Sequence, residues 1–148
     1  MKSPKPKAAA SSQTASPAQL PSALYGIGVD VLRTARMEEM FERRGKPLLA
    51  RLLMPAELRE VRARTQTARA LTMCWAAKEA FAKAYGTGFR GFGWRDVGVV
   101  REANGRPVLI FSRRMKALLK TNGVGAAHLS LSDDGGVVCA YVILERAR

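Results

Sequence analysis

Five short stretches of the chain have apolar residues in patterns typical of strands, alternating with polar residues in some and continuous in the last. The predicted strands cover residues 25–32, 97–100, 108–111, 128–132 and 137–144. Asn104-Gly105 predicts a tight turn between the second and third strands, and Asp133 to Gly136 predicts another between the last two. The last strand is apolar throughout, which is typical of a strand covered on both sides.

Apolar residues that recur three and four positions apart predict the helices. The shorter ones cover residues 34–44, residues 46–53, a stretch after Pro55 and a stretch capped by Ser112. The longest covers residues 71–85 and ends at Gly86, where a left-handed C-cap has the least steric cost. This order of elements predicts an α+β fold in which a largely antiparallel sheet packs on a long central helix.

The chain has 148 residues, enough for one domain with a hydrophobic core. Residues 1–22 are rich in Lys, Ser, Ala and Pro and contain no acidic residue. We therefore expect a flexible N-terminal tail followed by a domain over residues 23–148. No run reaches the roughly 18 apolar residues of a membrane span, and we expect no membrane partner.

A formal net charge of +13 indicates an anionic partner. Nucleic acid, a membrane surface, a phosphorylated small molecule and an acidic protein all fit that charge. Cys74 and Cys139 have no metal-binding spacing and lie in apolar segments, which favours a reducing, cytoplasmic location. The single histidine, His128, excludes a site built from several histidines.

Two carboxylates, those of Asp30 and Glu79, lie in elements that are otherwise largely apolar. Asp30 interrupts the first strand, where a buried carboxylate needs a cation, a metal or hydrogen bonds to compensate it. Alternatively, Asp30 ends the strand and caps the next helix. Glu79 and Lys83 lie one turn apart on the long helix, beside Lys78. Taken alone, Glu79 and Lys83 are more simply a surface ion pair.

A glycine-rich segment and a group of arginines flank the long helix. Gly86-Thr-Gly-Phe-Arg-Gly91 follows a helix and not a strand, which argues against a dinucleotide-binding fold. We expect a mobile loop whose backbone can approach a phosphate or a ribose closely. Arginines also outnumber acidic residues in and around the first three helices and indicate a docking surface. They are Arg33, Arg36, Arg43, Arg44, Arg51, Arg59, Arg62 and Arg64.

Two motifs in this order resemble one known family. Gly26-Ile-Gly-Val-Asp30, followed further along the chain by Trp75-Ala-Ala-Lys-Glu-Ala-Phe-Ala-Lys83 and Gly86-Thr-Gly88, resembles holo-acyl-carrier-protein synthase, the small bacterial class of 4′-phosphopantetheinyl transferases. The resemblance runs from about Tyr25 to Glu145. Larger, two-lobed transferases carry a second carboxylate where this chain has Leu32, which also indicates the small class.

The resemblance implies a reaction and an assembly. The reaction is transfer of 4′-phosphopantetheine from coenzyme A to a serine of apo acyl carrier protein, with release of adenosine 3′,5′-bisphosphate, in support of fatty acid biosynthesis. The resemblance also implies the 4′-phosphopantetheinyl transferase fold, Mg²⁺ as cofactor, and a homotrimer whose active sites lie between neighbouring subunits.

The resemblance also implies roles for individual residues. Asp30 and Glu79 would hold the metal, and two carboxylates suffice because Mg²⁺ completes its coordination with phosphate oxygens and water. Glu79 and Lys83 would act in catalysis, with Lys83 on the phosphates. Coenzyme A would be bound by Lys83, Gly86, Gly88 and His128, and the acidic carrier protein by Arg36, Arg43 and Arg44.

One departure from the family pattern leaves alternatives open. Family members commonly carry an arginine directly before the aromatic residue of the helix motif, where this chain has Cys74. An inactive homologue that only binds carrier protein is therefore one alternative. A basic nucleic-acid-binding module is another, although the arginines are not interleaved with aromatic residues and no binding motif is present. We expect no nucleic acid partner.

Overall fold

A computed structural model describes residues 23–148, and the predicted tail over residues 1–22 lies outside them. The described part of the chain has five strands, five α-helices and one short 3-10 helix, Trp94–Asp96. The strands are β1 Leu24–Arg33, β2 Val97–Arg101, β3 Pro107–Phe111, β4 Val124–Asp134 and β5 Val137–Arg146. The helices are α1 Thr34–Arg44, α2 Lys46–Leu52, α3 Pro55–Arg62, α4 Thr67–Tyr85 and α5 Arg113–Thr121.

All strand pairing in the described residues is antiparallel, as predicted. One sheet has the order β1-β5-β4, and β2 and β3 form a separate hairpin. Helix α4 packs against the inner face of the three-stranded sheet and also contacts β2. Its apolar residues are buried nearly throughout, because the helix has neighbours on opposite sides. The predicted α+β fold, with a largely antiparallel sheet on a long central helix, is confirmed.

Strand β1 lies unusually close to helix α4 because two of its inward-facing residues are glycines. A Cβ added to Gly26 would overlap the carbonyl oxygen of Ala84, and one added to Gly28 would overlap that of Ala80. Backbone therefore meets backbone without an intervening side chain. This contact fixes the position of the next inward-facing residue, Asp30, relative to α4.

Helix α4 is also fixed on another side by a buried ion pair. Lys78 Nζ lies 2.7 Å from Glu57 Oε2 of α3 and donates to the carbonyl oxygens of Trp94 and Val97. Glu57 in turn accepts the backbone N–H of Met54 at 2.8 Å. Burial raises the pKa of Glu57 and lowers that of Lys78, while their mutual attraction opposes both shifts. The pair ties α3 and α4 to the start of β2.

The prediction that the last strand is covered on both sides is wrong for the isolated chain. Val138, Ala140, Val142 and Leu144 are fully buried on the inner face of β5, but Tyr141 on the outer face is 42% exposed. The run of apolar residues in β5 is continuous because the outer face of the sheet is apolar as well, although the single chain leaves part of that face exposed. Its exposed members on β1 are Ile27, Val29 and Val31.

Element boundaries differ from the predictions at several places. Helix α4 begins at Thr67, four residues earlier than expected, and Arg69 in its first turn bonds to Asp133 of β4. Strand β4 begins at Val124, four residues earlier than its predicted start at residue 128. Strand β4 continues through Asp133 and Asp134, so the turn to β5 consists of Gly135 and Gly136, both with positive φ. Helix α5 was expected to end at Leu119 and runs to Thr121. Ser112 caps it as predicted, accepting the N–H of Met115 at 3.0 Å.

Among residues 23–148, none of the helices has both the length and the apolar character that crossing a bilayer requires.

We predict that Gly28→Ala destabilises the fold. The added methyl group would meet backbone atoms of α4, which cannot move aside as a flexible side chain could. We expect a loss of about 1–3 kcal/mol in the free energy of unfolding, measured by urea denaturation. Gly93→Ala is the matched control, because a Cβ there comes no closer than 3.8 Å to another group. Equal stability of the two variants would contradict the close contact.

Candidate active site

Three charged side chains meet where β1 crosses α4. Asp30 lies on the inner face of β1, and Glu79 and Lys83 lie on the adjoining face of α4. Lys83 Nζ donates to Asp30 Oδ1 at 2.9 Å and to the carbonyl oxygen of Val29 at 2.8 Å. Lys83 therefore forms its ion pair with Asp30 on the strand. The alternative interpretation, a surface ion pair between Glu79 and Lys83 on one helix, is not what the structure shows.

Asp30 does not cap the next helix, the second interpretation of its position. Helix α1 has Arg33 as its N-cap residue, and no side chain caps its N–H groups. The Asp30 side chain is 15% exposed, and the Lys83 side chain is 53% exposed. A flexible, half-exposed lysine thus compensates a mostly buried carboxylate, and it can move away when another cation takes its place.

Glu79 is half-buried, and its carboxylate experiences both charges of the Asp30–Lys83 pair. Burial and the negative charge of Asp30 raise the pKa of Glu79, while Lys83 and Arg36 oppose the shift. Asp30 and Glu79 are thus carboxylates from different elements that repel each other. Within the described residues, no group of three or more His, Cys, Asp or Glu side chains could hold a metal ion.

The glycine-rich segment follows α4 directly and is held at several points. Gly86, Gly88 and Gly91 have positive φ, and a Cβ on any of them would meet nothing within 4 Å. Thr87 and Arg90 bond to each other through side chain and backbone. The predicted mobile loop is therefore an anchored loop with an open backbone, a difference that glycine spacing alone does not reveal.

His128 and the helix α1 arginines lie in different places. His128 is on β4, on the outer face of the sheet, where its Nε2 lies 2.7 Å from Glu145 Oε1. One chain therefore does not bring His128 to Asp30, which is on the inner face. Arg36 is close enough to act on the charge of Glu79, whereas Arg43 and Arg44 are exposed in the last turn of α1.

Cys74 lies on nearly the opposite side of α4 from Glu79, about 140° around the helix. It is buried, and burial raises the pKa of its thiol. A cavity of about 320 Å³ lies beside it, lined in part by Arg101. Arg69 is not an unpaired substitute for the arginine of the family pattern. Its guanidinium group donates two hydrogen bonds to the carboxylate of Asp133, at 2.6 and 2.7 Å.

Comparison with known proteins identifies the family. A model of the 4′-phosphopantetheinyl transferase superfamily matches residues 26–142. The chain belongs to this superfamily. It is 43% identical over 123 residues to a holo-[acyl-carrier-protein] synthase of Trichlorobacter lovleyi, a match covering 82% of this chain and 98% of the relative.

Solved structures of such synthases have the same fold. The crystal structure of the synthase from Neisseria meningitidis matches with a TM-score of 0.80 and 35% identity, over 83% of this chain and 99% of that one. The synthase from Bacillus anthracis, solved in complex with CoA (3′,5′-ADP), matches with a TM-score of 0.70 and 27% identity, over 85% of this chain and all of that one. The predicted family, fold and enzyme class are therefore confirmed.

Sequence analysis missed the structural role of Lys78, which lies inside the superfamily's helix motif. The signal was present, because Lys78 lies on the same stripe of α4 as Leu71, Trp75 and Ala82, all of them wholly or partly buried. A lysine in an apolar stripe requires a buried acidic partner. Nothing in the sequence identified Glu57 as that partner, because it lies on another helix.

We predict that Glu79→Gln stabilises the protein slightly at neutral pH in the absence of divalent cations. The pKa of Glu79 is raised in the folded state, so ionisation of Glu79 disfavours folding as pH rises through that pKa. The variant removes this cost, and we expect a higher Tm at pH 7 and no difference at pH 4. Glu42→Gln, an exposed acid on α1, is the control. A lower Tm for Glu79→Gln at pH 7 would show that the carboxylate is not repelled.

Proposed function

We propose that the chain transfers 4′-phosphopantetheine from coenzyme A to a serine of apo acyl carrier protein, with Mg²⁺, and so supports fatty acid biosynthesis. The observation that carries the proposal is the meeting of Asp30, Glu79 and Lys83 where β1 crosses α4, in a chain of this superfamily. The synthases in solved structures that bind coenzyme A share this fold.

The reaction is the attack of a serine hydroxyl on a phosphorus of the coenzyme A pyrophosphate. The phosphorus–oxygen bond to the departing adenosine 3′,5′-bisphosphate breaks as the bond to the serine oxygen forms. The protein contributes mainly positioning and charge neutralisation to such a reaction. Lys83 can release Asp30 and place its ammonium group against the negative charge that builds on the leaving phosphate. The serine proton goes to Glu79 or to a water molecule.

Asp30 and Glu79 fit a magnesium ion. Both supply the hard oxygen ligands that Mg²⁺ prefers, and Mg²⁺ is usually held by one or two carboxylates together with phosphate oxygens and water. Burial and the negative charge of Asp30 raise the pKa of Glu79, and a divalent cation held by these carboxylates would offset both effects. The bound ion would supply charge neutralisation for the pyrophosphate.

Coenzyme A would lie along the open backbone of the loop at Gly86 and Gly88, next to Lys83. Their exposed backbone leaves room for a phosphate or a ribose to approach closely. His128 can join this site only from another copy of the chain, because it lies on the outer face of the sheet. A site shared between subunits accounts for both positions.

The outer face of the sheet supports the homotrimer. Ile27, Val29, Val31 and Tyr141 form an apolar surface there and are between 42% and 62% exposed in the single chain. Contiguous apolar surfaces of this kind are typical of protein interfaces. We propose that this face, which we call the outer sheet face, is covered by neighbouring subunits, as the apolar sequence of β5 predicts.

A direct assay tests the proposed function. Apo acyl carrier protein is incubated with coenzyme A, Mg²⁺ and the purified chain, and the mass of the carrier is measured. We expect a gain of one phosphopantetheine group, lost in Asp30→Ala and Glu79→Ala although both variants keep the fold. No gain with the wild-type chain would refute the transferase. Binding of nucleic acid that weakens steeply with salt would instead favour the alternative of a basic nucleic-acid-binding module.

We predict that Arg36→Glu weakens the use of carrier protein more than that of coenzyme A. Arg36 lies beside the site on α1, and carrier proteins of this kind present acidic surfaces. We expect the KM for carrier to rise roughly tenfold or more and the KM for coenzyme A to change little. Lys116→Glu is the control, because Lys116 is exposed on α5 and lies outside the arginine-rich helices. Equal increases in both KM values would place the docking surface elsewhere.

We predict that Val31→Asp produces a monomer. Val31 is 62% exposed in the single chain, so a charge there leaves the isolated fold intact but is buried when the outer sheet face is covered. Light scattering should show the mass of one chain for the variant and of three for the wild type. Transfer activity should fall with assembly. A wild-type monomer with full activity would refute the shared site.

A further inference from the structure

The anchored loop at Gly86–Gly91 is followed closely in the chain by a carboxylate that the proposed reaction does not use. Asp96, in the short 3-10 helix, is 15% exposed and accepts three hydrogen bonds from two segments of the chain. Its Oδ2 accepts the N–H of Gly93 at 2.8 Å, and its Oδ1 accepts the hydroxyl of Ser112 at 2.6 Å. The same Ser112 caps α5, so one carboxylate joins the end of the loop to the start of a helix.

Arg114 adds a second link between α5 and the loop. Its Nη2 donates to the carbonyl oxygen of Gly91 at 2.6 Å, and its Nη1 lies 3.3 Å from Asp96 Oδ2. Burial opposes the charge on Asp96, but the hydrogen bonds from Gly93 and Ser112 and the Arg114 guanidinium together hold the pKa of this carboxyl below its usual value. Asp96 is therefore ionised when it holds the loop.

The loop is thus fixed at both ends and has an open backbone between them. At its first end, the N–H of Gly86 bonds to the last turn of α4, three residues after Lys83. Near its other end, the buried Phe92 ring packs against Phe81 and Tyr85. Gly91 has a φ of 90°, a backbone conformation that glycine adopts readily. In this conformation its carbonyl oxygen accepts the hydrogen bond from Arg114.

We propose that Asp96 and Arg114 are positioning residues for coenzyme A. They act by holding the Gly86–Gly91 backbone in the conformation that receives a phosphate or a ribose, so that little ordering of the loop is needed on binding. Neither residue need touch the substrate. This inference rests on the proposed function, since it assigns the loop to coenzyme A.

Arg114→Ala and Asp96→Asn test the proposal, with Arg113→Ala as the matched control. Arg113 is the neighbouring exposed arginine on the same helix. We expect Arg114→Ala to raise the KM for coenzyme A about fivefold, as the loss of one half-exposed charged contact suggests, with kcat and the KM for carrier within about twofold of wild type. Asp96→Asn should have a larger effect in the same direction, since it disturbs two segments. Arg114→Lys should recover part of the loss.

Calorimetry with adenosine 3′,5′-bisphosphate separates positioning from a general structural effect. We expect weaker binding by Arg114→Ala, unchanged binding by Arg113→Ala, and the same Tm for both. Unchanged KM and binding in Arg114→Ala would overturn the proposal, as would equal losses in kcat and in both KM values. If the wild-type chain itself neither binds the nucleotide nor transfers the group, the proposed function fails, and not only the positioning role of Asp96 and Arg114.

Discussion

The close contact of β1 with α4 is the constraint on which the rest of the site depends. Gly26 and Gly28 allow the strand backbone to touch the helix backbone, and no other residue type could do so without displacing one of them. That contact decides where Asp30 lies. With a side chain at either glycine, the strand would move outward, and the Asp30 carboxylate would leave the reach of Lys83, 2.9 Å away in this fold. The glycines of the first motif therefore set the position of its aspartate, which would hold the metal in the proposed function.

The site combines groups that repel each other, and the scaffold must hold them together. Burial and the negative charge of Asp30 raise the pKa of Glu79, so the ionised Glu79 carboxylate destabilises the metal-free protein to a small extent. Lys78 directly precedes Glu79 in the sequence, but its side chain lies on another side of α4, where it forms the buried ion pair with Glu57. Because it bonds to α3 and to the start of β2, it fixes the rotation of the helix about its axis and with it the direction of Glu79. One lysine of the motif thus supports the fold, while Lys83 remains half-exposed and free to move to a substrate.

The three-stranded sheet uses its two faces for different purposes. Its inner face packs on α4 and carries Asp30, and its outer face is apolar and exposed in the single chain. His128 lies on that outer face, out of reach of Asp30 within one chain. A single assembly through the outer sheet face would bury the apolar residues and bring a histidine to a neighbouring site. The same surface therefore accounts for two features that one chain leaves unexplained.

Periodicity in the sequence was sufficient for the helices, the strands and their antiparallel order, because local spacing of apolar residues sets secondary structure. The two motifs were sufficient for the family, since each keeps its residues at fixed spacing on one element. They also pointed to Asp30, Glu79 and Lys83, which the fold brings together and whose roles in the reaction stay predictions. Contacts between distant elements were beyond that reach. Three contacts join residues that are far apart in the chain: Lys83 with Asp30, Lys78 with Glu57, and Arg114 with Gly91. Only tertiary packing brings such residues together. The exposure of Tyr141 on β5 and of Val31 on β1 likewise follows from the folded structure, and it shows that the single chain does not cover the outer face of the sheet.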